Sequence, residues 1–122
     1  MEGGRKTWYF PDGYLPEKTK QGPMEAHEAL MIFNTGAAAV RVLVDFYFED
    51  RPPVKGVTVT VDAERVRTLR MDMGETYGGP AIPPLTQYAV RVRADAPVVA
   101  QFGRVDTTQA CLAYYGTPGY AE

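Results

Sequence analysis

The chain has 122 residues, a length typical of one domain, and its 45% hydrophobic and 23% charged content is ordinary for a globular protein. The formal net charge of -2 excludes a general attraction to nucleic acid or anionic lipid. A single cysteine excludes an intrachain disulfide, and the N-terminus lacks the apolar stretch of a signal peptide, so we expect a cytoplasmic protein.

The first predicted element is a short strand at 7–10. The segment after it, 23–36, has two interpretations. The segment 23–36 has proline near its start, glycine at its end and helix-forming residues between them, which favours a helix. Its apolar run 29–33 has no helical stripe and fits a strand buried on both faces. The residues alone leave both interpretations open.

Alternating residues then predict a series of strands. Valine or phenylalanine occupies every second position from Val40 to Phe48, and prolines follow. The same period recurs at 57–61 and 88–92, whereas 65–71 alternates imperfectly and would need a bulge.

The rest of the chain is divided by glycine and proline. A long loop is predicted at 72–84 and a turn at Ala96-Pro97, with further strands at 98–105 and 110–115. Residues 116–122 are expected to form a flexible tail. About eight short strands predict a single all-β domain over 1–122, an antiparallel β-sandwich of jelly-roll type.

The inventory of reactive side chains argues against an enzyme. Serine is absent, and His27 is the only histidine, so a nucleophile has no evident base and a metal ion too few ligands. Cys111 falls in an apolar segment and is predicted to be buried and inert. We therefore predict no catalytic residue, no metal site and no cofactor.

Two polar groups are candidates for binding. Arg104 and Asp106 lie on one side of a strand end, where other polar residues and an aromatic residue are candidate neighbours; a structural network and a ligand pocket are equally compatible with this set. Its members are His27, Glu28, Arg104, Asp106, Gln109 and Trp8.

The second group is basic. If their strands are neighbours, five arginines would form a basic strip for phosphate or an acidic partner: Arg65, Arg67, Arg70, Arg91 and Arg93. Interleaved acidic residues favour a solvated mixed-charge face instead.

Several stretches, in the same order over nearly the whole chain, resemble the sensory rhodopsin transducer family. They are Gly4-Arg5 with Trp8, and residues 12–16, 27–36, 42–48, 64–70, 96–101 and 104–109. The resemblance implies a β-sandwich subunit of a homotetramer, and it favours a strand for 23–36. His27, Glu28, Arg104 and Asp106 match family motif positions, without a catalytic role to carry over.

The resemblance and the missing catalytic groups together predict a homo-oligomeric adaptor. Its partner would be the cytoplasmic face of a membrane photoreceptor or another receptor. The alternative is a module that binds a sugar or small metabolite, which the many aromatic residues would suit. DNA binding through the five arginines is a weaker third hypothesis.

Overall fold

The computed structural model describes residues 3–122, and at position 21 only the backbone. The described part contains ten strands and one short 3-10 turn at Gly74–Thr76, joined by loops. The strands are β1 (Arg5–Tyr14), β2 (Lys20–Gln21), β3 (Met24–Glu25), β4 (His27–Asn34), β5 (Val40–Phe48), β6 (Val54–Val61), β7 (Arg65–Arg70), β8 (Gln87–Asp106), β9 (Ala113–Thr117) and β10 (Tyr120–Ala121). Within this range no helix is long and apolar enough to cross a bilayer.

The 20-residue strand β8 belongs to two sheets. Its first half pairs antiparallel with β1 and β5, and β10 and β6 extend that sheet to the order β10-β1-β8-β5-β6. Its second half pairs with β4 and β9, and β7 completes the order β9-β8-β4-β7. Because the two sheets share β8, their eight strands form one continuous hydrogen-bonded sheet. The predicted all-β sandwich is confirmed.

The core is built from the alternating residues of these strands. The apolar side chains buried on β5 and β6 are valines and Phe46, and those in the first half of β8 are Tyr88, Val90 and Val92. The second sheet contributes Leu30, Ile32 and Phe102, each almost fully buried. Period-2 patterning therefore predicted which side chains face inward.

The segment 23–36 is extended, so the helix interpretation is wrong. The strands β2 and β3 form a two-stranded hairpin, and β4 then lies between β7 and β8. A strand with hydrogen-bonded neighbours on both sides gains enough tertiary pairing to override helix propensity.

The turn predicted at Ala96-Pro97 is also wrong, because β8 runs through it. Val98 still pairs with Arg5 of β1, whereas Val99 pairs with Phe33 of β4. Proline has no N–H to donate and is tolerated where ladder pairing changes. Pro97 thus marks the place where β8 passes from one sheet to the other.

Two smaller expectations need correction. β7 pairs with β4 without a register shift, so it needs no bulge: Arg67 takes an inward-facing position and donates from Nη1 to the carbonyl of Thr60 at 3.0 Å.

Cys111 is exposed, because β9 begins only at Ala113 and Cys111 lies in the loop before it.

Residues 116–122, expected as a flexible tail, include the end of β9 and all of β10. Tyr9 pairs with Tyr120 and Trp8 with Ala121, and the backbone N–H of Glu122 donates to the carbonyl of Thr7 at 3.0 Å. The tail therefore closes the edge of the first sheet; its mobility in solution stays a prediction.

Candidate functional site

A fully buried carboxylate, Glu28, lies on the inner face of β4. The Tyr88 hydroxyl donates to its Oε1 at 2.5 Å, and Arg104 Nε donates to its Oε2 at 2.7 Å. The backbone N–H of Tyr14 also donates to Oε2, at 3.1 Å. Both oxygens are therefore satisfied by named donors, as a buried charge requires.

Strand register explains why these residues meet. Glu28 is the direct cross-strand partner of Arg104 on β8, so the two side chains share the inner face of the second sheet. Tyr88 lies near the start of the same β8, in the first sheet, and reaches Glu28 from the opposite layer. Glu28 thus joins the two sheets through the two ends of one strand.

Arg104 carries the cluster outward to two further residues. Its Nη2 donates to the carbonyl of Asp12 at 3.1 Å, and its guanidinium carbon lies 4.9 Å from the ring centre of Tyr115. The Tyr115 hydroxyl donates to the same Asp12 carbonyl at 3.2 Å. We call Glu28, Tyr88, Arg104, Asp12 and Tyr115 the Glu28 network.

The protonation states of the network follow from burial and charge. Burial, with the Glu28 carboxylate beside it, raises the pKa of Tyr88, so its hydroxyl keeps its proton at neutral pH. Burial would lower the pKa of Arg104, but hydrogen bonding and attraction to Glu28 outweigh it and raise that pKa. The network is a charged pair with a neutral donor, an arrangement that holds side chains in place.

The other residues predicted to join this group lie elsewhere. His27 is on the outer face of β4, with Nδ1 2.8 Å from the carbonyl of Glu25. Asp106 accepts from the backbone N–H of Thr108 at 2.8 Å and caps the turn after β8. Gln109 lies exposed in the loop that follows.

Trp8 is a structural residue rather than a neighbour of Glu28. Its indole Nε1 donates to the carbonyls of Arg5 and Val98, at 3.1 and 3.0 Å. Of the six predicted residues, Glu28 and Arg104 are joined by a direct hydrogen bond at 2.7 Å. No group of three or more metal-ligating His, Cys, Asp or Glu side chains occurs in the described range.

The remaining members of the network escaped prediction from sequence. The alternating pattern at 88–92 predicts Tyr88 as a core residue, but Tyr88 lies 60 positions from Glu28. Asp12 falls in a stretch that carries the family resemblance, and Tyr115 falls in a predicted strand. No local signal identifies them, because long-range register sets these contacts.

The five arginines do not form one strip. β7 lies in the second sheet and the first half of β8 in the other, so Arg65, Arg67 and Arg70 are separated from Arg91 and Arg93. Arg70 is paired with Asp72, through Nε at 2.8 Å and Nη2 at 2.7 Å. Arg65 Nη1 donates to the carbonyl of Glu64 at 3.1 Å.

Arg91 and Arg93 cover a carboxylate on the outer face of the first sheet. Arg91 donates to Asp45 Oδ2 at 2.9 Å, while Arg93 donates to both oxygens at 2.8 Å. A bulge in β6 adds the backbone N–H of Gly56 at 2.8 Å. Asp45 is fully buried although its strand position faces outward.

These contacts shift the titration of Asp45. Burial alone would raise the pKa of Asp45, but hydrogen bonds from Arg93, Gly56 and Arg91 outweigh it and lower the pKa from 3.8 to about 2. The carboxylate therefore stays ionised well into the acidic range.

One row of the outer face of the second sheet is apolar. Val66, Phe33 and Val99 form one cross-strand row, in which Val66 is 62% and Phe33 45% exposed. Tyr114 is also exposed, and its hydroxyl lies over Gly103, where an added Cβ would come within 2.8 Å of it. We call Val66, Phe33, Val99 and Tyr114 the apolar face.

Comparison with known proteins gives a family and two solved structures. Residues 3–121 match the family described as Anabaena sensory rhodopsin transducer. Thermotoga maritima 1070 has 33% identity and a TM-score of 0.85, with 98% of this chain and 97% of that chain covered. The Anabaena sensory rhodopsin transducer has 31% identity and a TM-score of 0.71, with 90% and 96% covered. A search of curated proteins gave no match.

Removing either donor of the Glu28 network should destabilise the fold. Arg104→Met leaves a buried carboxylate without its counter-charge, and we expect the free energy of unfolding to fall by about 3–5 kcal/mol. Tyr88→Phe should lower it by about 1–3 kcal/mol, through one lost donor. Urea unfolding measures both. Arg51→Met is the control, because its pair with Asp50 is exposed and should contribute little; equal losses in all three variants would contradict the special role of Glu28.

The contacts of Asp45 should make the free energy of unfolding depend on pH in the acidic range. Folding lowers the pKa of Asp45, so the ionised carboxylate stabilises the folded state. This contribution is fully present above pH 3.8 and is lost as pH falls toward 2. Allowing for solvent screening of the partly exposed arginines, we expect Asp45→Asn to cost about 1 kcal/mol at neutral pH. Urea unfolding at pH 7, 5 and 3 should show the gap from wild type narrowing at the lowest pH. If the difference in free energy of unfolding stays the same at all three pH values, ionisation of Asp45 is not its cause. The same holds if the control Asp62→Asn, at an exposed carboxylate, shows an equal difference.

Proposed function

Because the chain belongs to the Anabaena sensory rhodopsin transducer family, we propose that it is a signal transducer that works as a homo-oligomer by binding other proteins. Its partner would be the cytoplasmic face of a membrane receptor. The family description names a sensory rhodopsin, which is a photoreceptor. The family resemblance sets the expected assembly at four copies.

The apolar face is the observation that carries the oligomer. A flat row of valine, phenylalanine and valine without a charge between them is unusual for a surface that stays in water. Apolar, charge-depleted surfaces are typical of contacts between identical subunits. A two-fold axis would place the same row against itself, so a second copy is the occupant we propose for this face.

The opposite side of the sandwich is the surface we propose for binding the receptor. If a second copy covers the apolar face, the outer face of the first sheet stays exposed, and it carries Arg91, Arg93 and Tyr47. Arg91 lies 5.6 Å and Lys55 5.7 Å from the ring centre of Tyr47. Arginine and tyrosine are the residues that protein interfaces favour, and Asp45 holds these arginines in place before a partner arrives.

Assembly is tested by the mass in solution. Size-exclusion chromatography with light scattering at micromolar concentration should give four times the 13.5-kDa chain mass. Phe33→Glu with Val66→Glu would place charges within the apolar row, and the mass should fall to half that value or less. The control, Leu85→Glu, changes an exposed leucine in a loop outside this face and should leave the mass unchanged. A wild-type chain that elutes as a monomer would refute the oligomer.

Relay is tested with a receptor. We expect wild-type protein to bind a sensory rhodopsin reconstituted in lipid nanodiscs, measured by biolayer interferometry, and Lys55→Glu to weaken binding several-fold. Nanodiscs of the same lipid without the rhodopsin are the control. Equal signals from empty and loaded nanodiscs, or none from either, would remove the relay and leave the oligomer standing.

A further inference from the structure

A segment between β7 and β8, residues 74–84, lies at the end of the sandwich that holds the Glu28 network. Both of its attachments adjoin that network. On one side the backbone N–H of Met71 donates to the carbonyl of Glu28 at 2.9 Å. On the other side the backbone of Leu15 is hydrogen-bonded to residues 85–86, at 2.7 and 3.3 Å. Leu15 directly follows the residue whose N–H donates to the Glu28 carboxylate.

Between these attachments the segment is held by side-chain packing. In the described range no backbone hydrogen bond joins 74–84 to a strand, and the N–H groups of Tyr77 and Gly79 both donate to the carbonyl of Gly74, at 3.1 and 2.8 Å. The side chains that anchor the segment in the core are Tyr77 and Ile82, which are 9% and 7% exposed. A segment with so few links to the sheets opens at a lower free energy than the strands do.

One of the two anchors carries a polar group that the packing leaves without a partner. The Tyr77 hydroxyl is buried, and no group in the described range accepts a hydrogen bond from it. Burial, with Asp72 and Glu75 nearby, raises the pKa of Tyr77 to about 12, so the hydroxyl keeps its proton at neutral pH. The buried Tyr88 hydroxyl, by contrast, donates to Glu28. A buried donor that has given up its hydrogen bonds to water without replacing them disfavours the arrangement that buries it.

We propose that residues 74–84 form a lid over the Glu28 network, and that the unpartnered Tyr77 hydroxyl makes this lid open more often than its apolar packing alone would allow. Burial of Tyr77 and Ile82 favours the closed lid, whereas in the open lid water satisfies the hydroxyl. Burial and Glu28 raise the pKa of Tyr88, and Tyr77 adds to this rise, so the two tyrosines lie near each other. Opening therefore brings water toward the buried end of the network. The proposal goes beyond the proposed function and does not depend on it.

Amide hydrogen exchange at neutral pH, without urea and at urea concentrations below the unfolding transition, tests the lid. Mass spectrometry would follow one peptide that covers 74–84 and another that covers β4, a strand paired on both sides. In the wild type, the protected amides of the lid should exchange about tenfold or more faster than those of β4. Their exchange should depend little on urea, because opening the lid exposes far less surface than unfolding the chain.

Three variants test the cause. Tyr77→Phe keeps the ring and removes the hydroxyl, so exchange in 74–84 should slow on the order of tenfold, which corresponds to about 1.4 kcal/mol in the opening equilibrium. Ile82→Ala removes apolar burial, and exchange there should become about tenfold faster or more. Tyr9→Phe is the matched control. The Tyr9 hydroxyl is bonded to Glu122 at 2.8 Å, outside the lid, so its removal should change exchange in 74–84 less than about twofold.

Three results would overturn the proposal. The first is exchange in 74–84 that matches β4 in rate and in urea dependence. The second is exchange in Tyr77→Phe that is unchanged or faster, as a hydroxyl satisfied by a bound water would give, or a Tyr77→Phe chain that circular dichroism shows to be unfolded. The third is equal slowing in Tyr9→Phe. Light scattering on the same samples reports assembly separately, so failure of the lid is distinguishable from failure of the oligomer.

Discussion

Hydrogen bonding of both halves of β8, each to a different sheet, is the constraint on which the other features depend. A strand of 20 residues is too long for one sheet of this size, and its two halves take different neighbours. Near the crossing point Gly4 has a φ of +98°, and an added Cβ would come within 2.1 Å of the Val98 carbonyl. The backbones of β1 and β8 therefore approach closely there, and Trp8 donates to the same carbonyl.

The crossing of β8 also creates the buried polar cluster. Tyr88 and Arg104 lie at opposite ends of one strand, yet they reach the same carboxylate, because the halves of β8 belong to facing layers. Glu28 is thereby a contact between sheets as well as between strands. Because Glu28 accepts hydrogen bonds from donors in both layers, the distance between the layers can change little at this end of the sandwich.

The two outer faces differ in chemistry and suit different tasks. The second sheet presents the apolar face, for which we proposed a second copy of the chain as occupant. The first presents arginines held by Asp45, a buried carboxylate on an outward position. The proposed assembly contact and the arginine-bearing surface therefore lie on opposite sides of the sandwich.

Local alternation in the amino-acid sequence is enough to predict which residues of 40–48, 57–61 and 88–92 face inward, and that the chain is all β. The sequence also placed Glu28 and Arg104 in one candidate group of six residues, but it did not predict that these two form a pair. Tertiary structure decided the rest: that β4 is a strand, that Pro97 lies within β8, that Cys111 is exposed and that Asp45 is buried. Alternation is a property of neighbouring residues, whereas the partner of a strand, and hence what covers or satisfies each side chain, depends on register between segments far apart in the chain.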